Sequence, residues 1–162
     1  VLEYSKMLSE LTADTDRNVL IASDVARVTA NSDGICLVLS DRKVHCENLQ
    51  ALIKYRFKLD AELLTGDLSQ GERQTVVKRL NQKKVNVVIA TGQLIGEGFD
   101  CQNLSTLFLA TPVSFSGRLI QYLGRVLRPA PGKDKARVFD YVDVHVDILV
   151  KAANSRQRVY RQ

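Results

Sequence analysis

Residues 118–128 carry the side chains best suited to chemistry. At about 100° per residue, the aliphatic side chains of this segment fall on one side of a helix and the polar residues on the other. The polar side consists of Arg118, Gln121, Gly124, Arg125 and Arg128. Guanidinium groups are planar, permanently charged and well matched to phosphate oxygens. Gly124 costs a helix about 1 kcal/mol relative to alanine, which favours a need for close approach to its backbone. An amphipathic helix with a solvated basic face is the ordinary alternative.

Two common phosphate-binding loops are not found in the sequence. Gly132-Lys133, the only Gly-Lys pair, is followed by Asp134 and lacks the upstream glycine of a P-loop. Gly96-Glu97-Gly98 is followed by Cys101 where a dinucleotide-binding motif has its third glycine. The chain is therefore not expected to cradle a triphosphate by itself, and a nicotinamide-dependent oxidoreductase is disfavoured.

The histidines do not form a recognisable metal site. His45 and Cys46 are adjacent on a predicted helix, and His145 lies near Asp143 and Asp147, but neither group has a third ligand at a suitable spacing. We assign no metal, and we expect the acids that follow the last strand to lie at a solvated edge and a helix start. The three cysteines, odd in number and without C-x-x-C spacing, are expected to be free thiols in a reducing compartment.

Alternating strands and helices must position the arginine-rich segment. Short apolar runs predict strands, and amphipathic stretches between them predict helices. Ser40 and Asp41 are expected to cap the first of these helices, and Ser69 with Glu72 forms a capping box for the second. The predicted strands are 35–39, 61–64, 85–90, 106–110 and 137–142. The first predicted helix follows Ser40 and Asp41 and extends to about residue 56, the second begins at about 69 and extends past 80, and the third covers about 116–127. This order predicts an α/β domain with a mainly parallel sheet, whose ligands bind at the carboxyl ends of the strands.

Length and composition fit one globular domain. The chain has 162 residues, of which 45% are hydrophobic and 25% charged. Its longest apolar runs fall well short of the ~18 residues of a membrane span, and no charged-then-apolar leader opens it. We expect a cytoplasmic protein with no membrane partner, and the lack of an initiator Met suggests a fragment of something longer.

The net charge of +5 is unevenly distributed. Residues 1–34 contain six acids and three bases, so the remaining residues must carry +8. A basic body is typical of polyanion binders, although many basic domains bind no anion.

Four segments together resemble the motifs of superfamily 2 helicases. Gln121-x-x-Gly124-Arg125-x-x-Arg128 resembles motif VI, and Ala90-Thr91 through Gly98-Phe99-Asp100 resembles motif V. Thr65-Gly66-Asp67 with Gln70-x-x-Arg73 is similar to the segment that precedes motif V in DEAD-box and related members. Leu39-Ser40-Asp41 occupies the place of motif IV. The four segments follow the order of the motifs in the family. The residues around them are more similar to the DEAH-like, restriction-subunit-like branch.

The resemblance implies the second RecA-like domain of a DNA or RNA helicase or translocase, with a three-layer fold. ATP with Mg²⁺ would bind between this domain and an N-terminal RecA-like domain of the same chain, which would supply the Mg²⁺ ligands. Arg128 would be the arginine finger, Arg125 would bind the γ-phosphate, and Gln121 would place phosphate or water. Gly98 and Asp100 would bind the nucleotide, with Asp100 accepting a ribose hydroxyl; an ordinary loop turn and an ordinary loop carboxylate are the alternatives.

The same resemblance implies contacts to the backbone of DNA or RNA from loops that offer hydroxyls and unhindered N–H groups. For Ser40 and Thr65, helix capping or turn formation is an equally good explanation, and Arg73 could simply hold its loop. The candidate residues are Ser40, Thr65, Gly66, Arg73, Thr91 and Gly92.

We therefore expect three parts: a helical segment over 1–30, a RecA-like domain over 31–150, and a basic, solvated helix or junction over 151–162. The expected function is the second motor domain of an ATP-dependent helicase, inactive in isolation. A non-catalytic RecA-like module for nucleic-acid binding or interaction is the alternative.

Overall fold

The computed structural model describes residues 2–92, 101, 103–112, 124, 136–143 and 147–161. The helices within these ranges are α1 (Leu2–Ala13), α2 (Thr15–Ala30), α3 (Lys43–Phe57), α4 (Gln70–Asn81) and α5 (Asp147–Tyr160). The strands are β1 (Ile35–Ser40), β2 (Glu62–Leu64), β3 (Val87–Thr91), β4 (Leu104–Leu109) and β5 (Arg137–Asp140). Of the helix predicted over 116–127, only Gly124 is among the described residues, and it is helical.

The five strands form one parallel sheet in the order β2-β3-β1-β4-β5. β1 and β4 are buried along their whole length, as expected for strands covered on both faces. The predicted α/β fold with a mainly parallel sheet is therefore confirmed. Strand ends differ from the prediction by a few residues: β3 begins at Val87 rather than Val85, and β5 ends at Asp140 rather than Val142.

Helices cover both faces of the sheet, which gives three layers. On one face, Val76 and Leu80 of α4 join the cluster that contains Leu64 and Val88. On the other face, α2 and α3 pack on the opposite side chains of the same strands. The residues of α2 in this second cluster are Ile21, Ala22, Val25 and Val28. The N-terminal segment is thus two helices, and α2 belongs to the core of the sheet.

The two helix starts that follow β1 and β2 differ. At α4 the predicted capping box is present: the Glu72 N–H donates to Ser69 Oγ at 3.2 Å, and the Ser69 N–H donates to the Glu72 carboxylate at 2.7 Å. At α3 the prediction that Ser40 and Asp41 cap the helix is wrong. The N-cap residue is Arg42, and no side chain caps this helix.

The C-terminal helix α5 begins at Asp147, the helix start expected from the sequence, and it is not fully solvated. Arg156 is only 3% exposed and binds the Asp140 carboxylate with its Nε at 2.8 Å and its Nη2 at 2.7 Å. Asp140 and Asp143 are likewise largely buried and ion-paired, so the expectation of a solvated edge is wrong for both. Within the ranges described, no helix combines the length and apolar character needed to cross a membrane.

Candidate nucleotide and nucleic-acid interface

The sheet register brings three of the predicted contact loops to the same edge. Ser40, the last residue of β1, pairs with Thr91, the last residue of β3. Leu64 of β2 pairs with Ala90, so Thr65 follows at the level of Thr91. Because all strands are parallel, the loops after β2, β3 and β1 lie side by side at the carboxyl edge of the sheet.

The predicted backbone-contact residues differ in how far they reach solvent. Ser40 is 0% and Thr65 4% exposed, so the hydroxyl of neither projects from the surface in this structure. Thr91 and Gly92 are half-buried, and Gly66 is exposed. Arg73 is half-buried on α4. Of the predicted contact residues in the loops after β1, β2 and β3, Gly66, Thr91 and Gly92 are therefore the ones that reach solvent.

The predicted nucleotide contacts Gln121, Arg125, Arg128, Gly98 and Asp100 lie outside the described residues. Gly124, in the middle of the arginine motif, is described, and it is exposed on its helix. A Cβ added to Gly124 would meet nothing within 4 Å in the part of the chain that is described. Packing inside this part therefore does not require glycine at position 124.

A buried hydrogen-bond chain joins α2 to the end of β1. Asn18 Nδ2 donates to the Thr12 carbonyl at 2.9 Å, which turns Asn18 Oδ1 toward His45 Nε2 at 2.7 Å. Since Oδ1 can only accept, the Nε2 atom of neutral His45 carries the proton. His45 Nδ1 then accepts a hydrogen bond from the Ser40 hydroxyl, with 2.8 Å between Nδ1 and Oγ. The same Oγ accepts from the Arg42 N–H at 3.2 Å. These hydrogen bonds explain why the Ser40 hydroxyl does not cap α3.

His45 is held in its neutral form. Burial, together with a smaller effect of the nearby Arg17 guanidinium, lowers its pKa from 6.5 to about 4. The sequence suggested only that His45 is an unremarkable helix residue. Its buried partners come from α2 and β1, and no local pattern around residue 45 indicates them.

Arg17 ties α2 to the ends of β4 and β5. Its side chain is 8% exposed, donates through Nη1 to the Ala110 carbonyl, and binds the Asp143 carboxylate through Nε at 3.1 Å. Its guanidinium carbon lies 5.9 Å from the centre of the Tyr141 ring. Sequence reasoning missed this residue, although Arg17 and Asn18 lie at helical spacing with the buried face of α2, beginning at Ile21.

The loop after β1 is anchored on two sides. The Asp41 N–H donates to Thr111 Oγ1 at 2.9 Å, which links the loops after β1 and β4. Arg42 Nη2 donates to the hydroxyl and the carbonyl of Ser5 on α1, at 2.9 and 3.2 Å. Partial burial raises the pKa of the Asp41 carboxyl, although part of the residue reaches solvent and Arg42 acts in the opposite direction.

Gly34, which precedes β1, and Gly66, which follows β2, differ in whether the fold requires glycine. A Cβ on Gly34 would lie 2.1 Å from Ser105 Oγ and 2.4 Å from Ser105 Cβ, so packing of β1 against β4 excludes a side chain there. A Cβ on Gly66 would meet nothing within 4 Å among the described atoms. The fold requires glycine at position 34 but not at position 66.

Residues 20–130 match the family described as "Helicase conserved C-terminal domain". These residues make up more than half of the chain and include all the segments that resemble helicase motifs. The chain therefore belongs to this family, as the resemblance to superfamily 2 helicases predicted.

Two viral proteins illustrate the sequence similarity. The chain is 30% identical over 172 residues to the 161L protein of Invertebrate iridescent virus 6, named as a helicase, with 99% of this chain and 37% of that protein covered. It is 32% identical over 127 residues to transcript termination protein A18 of Rabbit fibroma virus (strain Kasza), with 77% of this chain and 26% of that protein covered. The chain thus spans well under half of these relatives.

Solved structures share the fold at low sequence identity. T4 UvsW superposes with a TM-score of 0.75 at 22% identity, over 98% of this chain and 35% of that one. S. cerevisiae Dbp5, solved with RNA and ADP BeF3, superposes with a TM-score of 0.65 at 17% identity, over 89% of this chain and 36% of that one. The predicted RecA-like architecture is confirmed by this likeness to helicase structures.

Proposed function

We propose that this chain is the second RecA-like domain of an ATP-dependent helicase or translocase that grips a nucleic-acid backbone. The observation that carries the proposal is the parallel sheet itself. In a helicase C-terminal family member, it brings the loops after β1, β2 and β3, each part of a motif-like segment, to one edge. A first RecA-like domain of the same chain would face that edge and supply the Mg²⁺ ligands.

We assign nucleotide contact to Arg128, Arg125 and Gln121, with Gly98 and Asp100 beside them. ATP bound there supplies the γ-phosphoryl group whose hydrolysis releases free energy. Arg128 stabilises the developing charge on the phosphoryl oxygens, and Arg125 binds the γ-phosphate. The exposed position of Gly124 supports this assignment, because glycine itself places no side chain against a group that approaches that turn of the helix.

We assign backbone contact to the loops that contain Thr65, Gly66, Thr91 and Gly92. Two hydroxyl residues lie at one level on adjacent strands, next to a glycine that the fold does not require. The N-terminus of α3 opens onto the same edge without a side-chain cap, and uncapped N–H groups with the helix dipole favour a phosphate. For the Ser40 hydroxyl to take part, its bond to His45 must open. Arg73, on α4, is assigned a supporting contact.

We place the protein in a reducing compartment, the cytoplasm. Cys36, Cys46 and Cys101 are buried, and none of them forms a disulfide. Burial raises the pKa of the Cys36 thiol, and it raises that of Cys46 to about 12, so neither is a thiolate at neutral pH. Buried thiols of this kind suit a protein that never forms disulfides.

The first test is Arg128→Ala in the full-length protein. We expect nucleic-acid-stimulated kcat to fall by on the order of 10³, and Arg128→Lys to rescue poorly because lysine lacks the planar fork. Arg158→Ala, which removes an exposed arginine on α5, is the matched control and should leave kcat unchanged. Wild-type kcat in Arg128→Ala would reject the catalytic assignment and favour the non-catalytic module.

The second test separates the nucleotide contacts from the strand contacts. Thr91→Ala should raise the nucleic-acid concentration needed for half-maximal ATPase roughly ten-fold, with little change in KM for ATP. Arg125→Ala should suppress hydrolysis while nucleotide-free strand affinity stays intact. Thr75→Ala, on the exposed surface of α4, controls for the loss of a hydroxyl. Equal losses of both activities in Thr91→Ala and Arg125→Ala would refute the division.

A further inference from the structure

A basic surface lies at the edge of the sheet opposite the strand-end loops. α3 and α4 lie on opposite faces of the sheet; α3 ends before β2 and α4 ends before β3, so both helices end at the amino edge of the sheet. The Gln50 side chain of α3 donates to the Ala61 carbonyl at 2.8 Å, and Arg79 of α4 binds the Glu62 carboxylate at 2.9 Å. We call the exposed bases around these two helix ends the amino-edge surface: Lys54, Arg56, Lys58, Lys78, Arg79, Lys83 and Lys84.

The amino-edge surface carries a strong net positive charge. Residues 54–62 and 78–84 contain these seven bases and two acids, Asp60 and Glu62, which is a net charge of +5. Subtracting them from the 23 bases and 18 acids of the chain leaves sixteen of each. Five net positive charges within these sixteen residues create a local positive field at this edge of the sheet.

Two of these lysines occupy backbone positions that disfavour them. Lys58 and Lys83 have φ angles of 56° and 58°, and they are the non-glycine residues with positive φ in the described ranges. Glycine or asparagine is usual in such left-handed positions at helix ends, where other residues cost about 1 kcal/mol. The helix dipole favours a base anywhere in the last turn, so it does not require a lysine at a strained position. Two separate helices nevertheless carry one at the same edge of the sheet.

The charges of this surface are largely available to a partner. In the part of the chain that the structure describes, Arg79 is the one base of the seven with an acidic partner. Lys58 Nζ donates to the Tyr55 carbonyl at 2.8 Å, a bond that leaves its charge uncompensated. The Tyr55 ring, 72% exposed among these bases, adds an aromatic face. Unpaired lysines around an exposed aromatic ring are suited to a nucleic-acid backbone with stackable bases.

We propose that the amino-edge surface is a second nucleic-acid contact that binds the phosphate backbone independently of sequence, chiefly through Lys58, Lys83 and Lys84. It lies at the opposite edge of the sheet from Thr65 and Thr91. It therefore holds single-stranded or double-stranded nucleic acid outside the ATP site between the two RecA-like domains. The proposal rests on the proposed function only in taking nucleic acid as the ligand.

The test compares two variants of the full-length protein that lose the same number of charges. The amino-edge variant is Lys58→Asn/Lys83→Asn/Lys84→Gln, because asparagine tolerates the left-handed backbone. The control variant, Lys6→Gln/Lys151→Gln/Arg158→Gln, neutralises exposed bases on α1 and α5. Binding of labelled oligothymidylate and oligouridylate is measured by fluorescence anisotropy across a salt series without nucleotide, and thermal melting monitors folding.

Three lost phosphate contacts should reduce the slope of log affinity against log salt by about 2 for single strands, and affinity at low salt by at least about ten-fold. The control variant should keep the wild-type slope, and both variants should melt at or above the wild-type temperature. An unchanged slope in the amino-edge variant, or an equal loss in the control, overturns the inference. Retained affinity in the amino-edge variant with a clear loss in Thr91→Ala contradicts this inference alone. Failure of the wild-type protein to bind either oligonucleotide contradicts the proposed function as well.

Discussion

His45 should make the stability of the fold depend on pH in a defined window. Its ring is 1% exposed, and its pKa is about 4 in the folded chain against 6.5 in an unfolded one. Between these two values the unfolded chain binds more protons than the folded chain, so the free energy of unfolding rises with pH. The stabilisation is fully present above pH 6.5 and is lost as the pH falls to about 4.

The magnitude follows from the two pKa values. A difference of one pKa unit corresponds to about 1.4 kcal/mol, so the neutral ring should contribute roughly 3 kcal/mol at neutral pH relative to acid. About 2 kcal/mol of this should already be lost near pH 5, because an unfolded histidine is then mostly protonated. The cost of acidification arises from burying the imidazolium beside Arg17 and from disturbing the bond that Nδ1 accepts from Ser40.

The assay is urea unfolding at a series of pH values for the wild-type chain and for His45→Gln. The substitution removes the titrating group, while the carboxylates titrate in both proteins, so their contribution cancels in the difference. The free energy of unfolding should fall more steeply below pH 6.5 in the wild type, by about 3 kcal/mol in total. In proton NMR, the chemical shifts of the His45 ring should change with a midpoint near pH 4. The neutral ring should be the Nε2–H tautomer. Parallel pH profiles, or a titration midpoint near 6.5, would refute the description of His45 as a neutral buried hydrogen-bonding group.

Three further outcomes test the fold and the division of labour. Arg17→Ala should lower the free energy of unfolding by about 3 kcal/mol, and by much less when Asp143→Asn is already present. The control Arg27→Ala, at an exposed arginine, should change it by under about 0.5 kcal/mol. Equal losses of stability in Arg17→Ala and Arg27→Ala would contradict the buried ion pair of Arg17 with Asp143. Gly34→Ala should destabilise by about 2 kcal/mol because its Cβ would overlap Ser105, and adding Ser105→Gly should restore stability as judged by thermal melting. The isolated chain should show no measurable ATPase, because it carries neither a P-loop nor the expected Mg²⁺ ligands; robust turnover would contradict its assignment as half of a site.

Local patterns predicted most of the architecture. β1 was predictable because a run of five apolar residues, 35–39, is long enough for a strand and has no helical spacing. The capping box of α4 was predictable because Ser69 and Glu72 interact across three residues. The start of α3 was not, since the Ser40 hydroxyl is held by His45, whose other nitrogen binds Asn18 from a distant helix. Tertiary contacts there override a sound local rule.

The side-by-side arrangement of the strand-end loops was predictable from the sequence, but the buried contacts that hold these loops were not. Parallel strands place Thr65 and Thr91 side by side, and the sequence pattern was enough to expect this. The burial of Ser40 could not be read from the sequence, because it depends on the arrangement of α2 over the sheet. Arg156, expected in a solvated tail, is buried because Asp140 at the end of β5 provides a carboxylate. In each case the deciding partner lies far away in sequence.

The first turn of α2 belongs to the scaffold of the strand-end loops, although the family match begins only at residue 20. Arg17 supports the Ala110 carbonyl, and Asn18 supports His45 and through it the end of β1. A chain shortened to begin at residue 20 would leave these buried groups without partners, at a cost of about 1–3 kcal/mol each. A chain that begins at Thr12 keeps both side chains, the Thr12 carbonyl that Asn18 binds and the cap of α2, and so serves as the control. We expect urea unfolding to show a loss of several kcal/mol for the first truncation and a smaller loss for the second, which removes the Ser5 contacts of Arg42. If both shortened chains match the full chain in stability, α2 does not support this edge of the sheet.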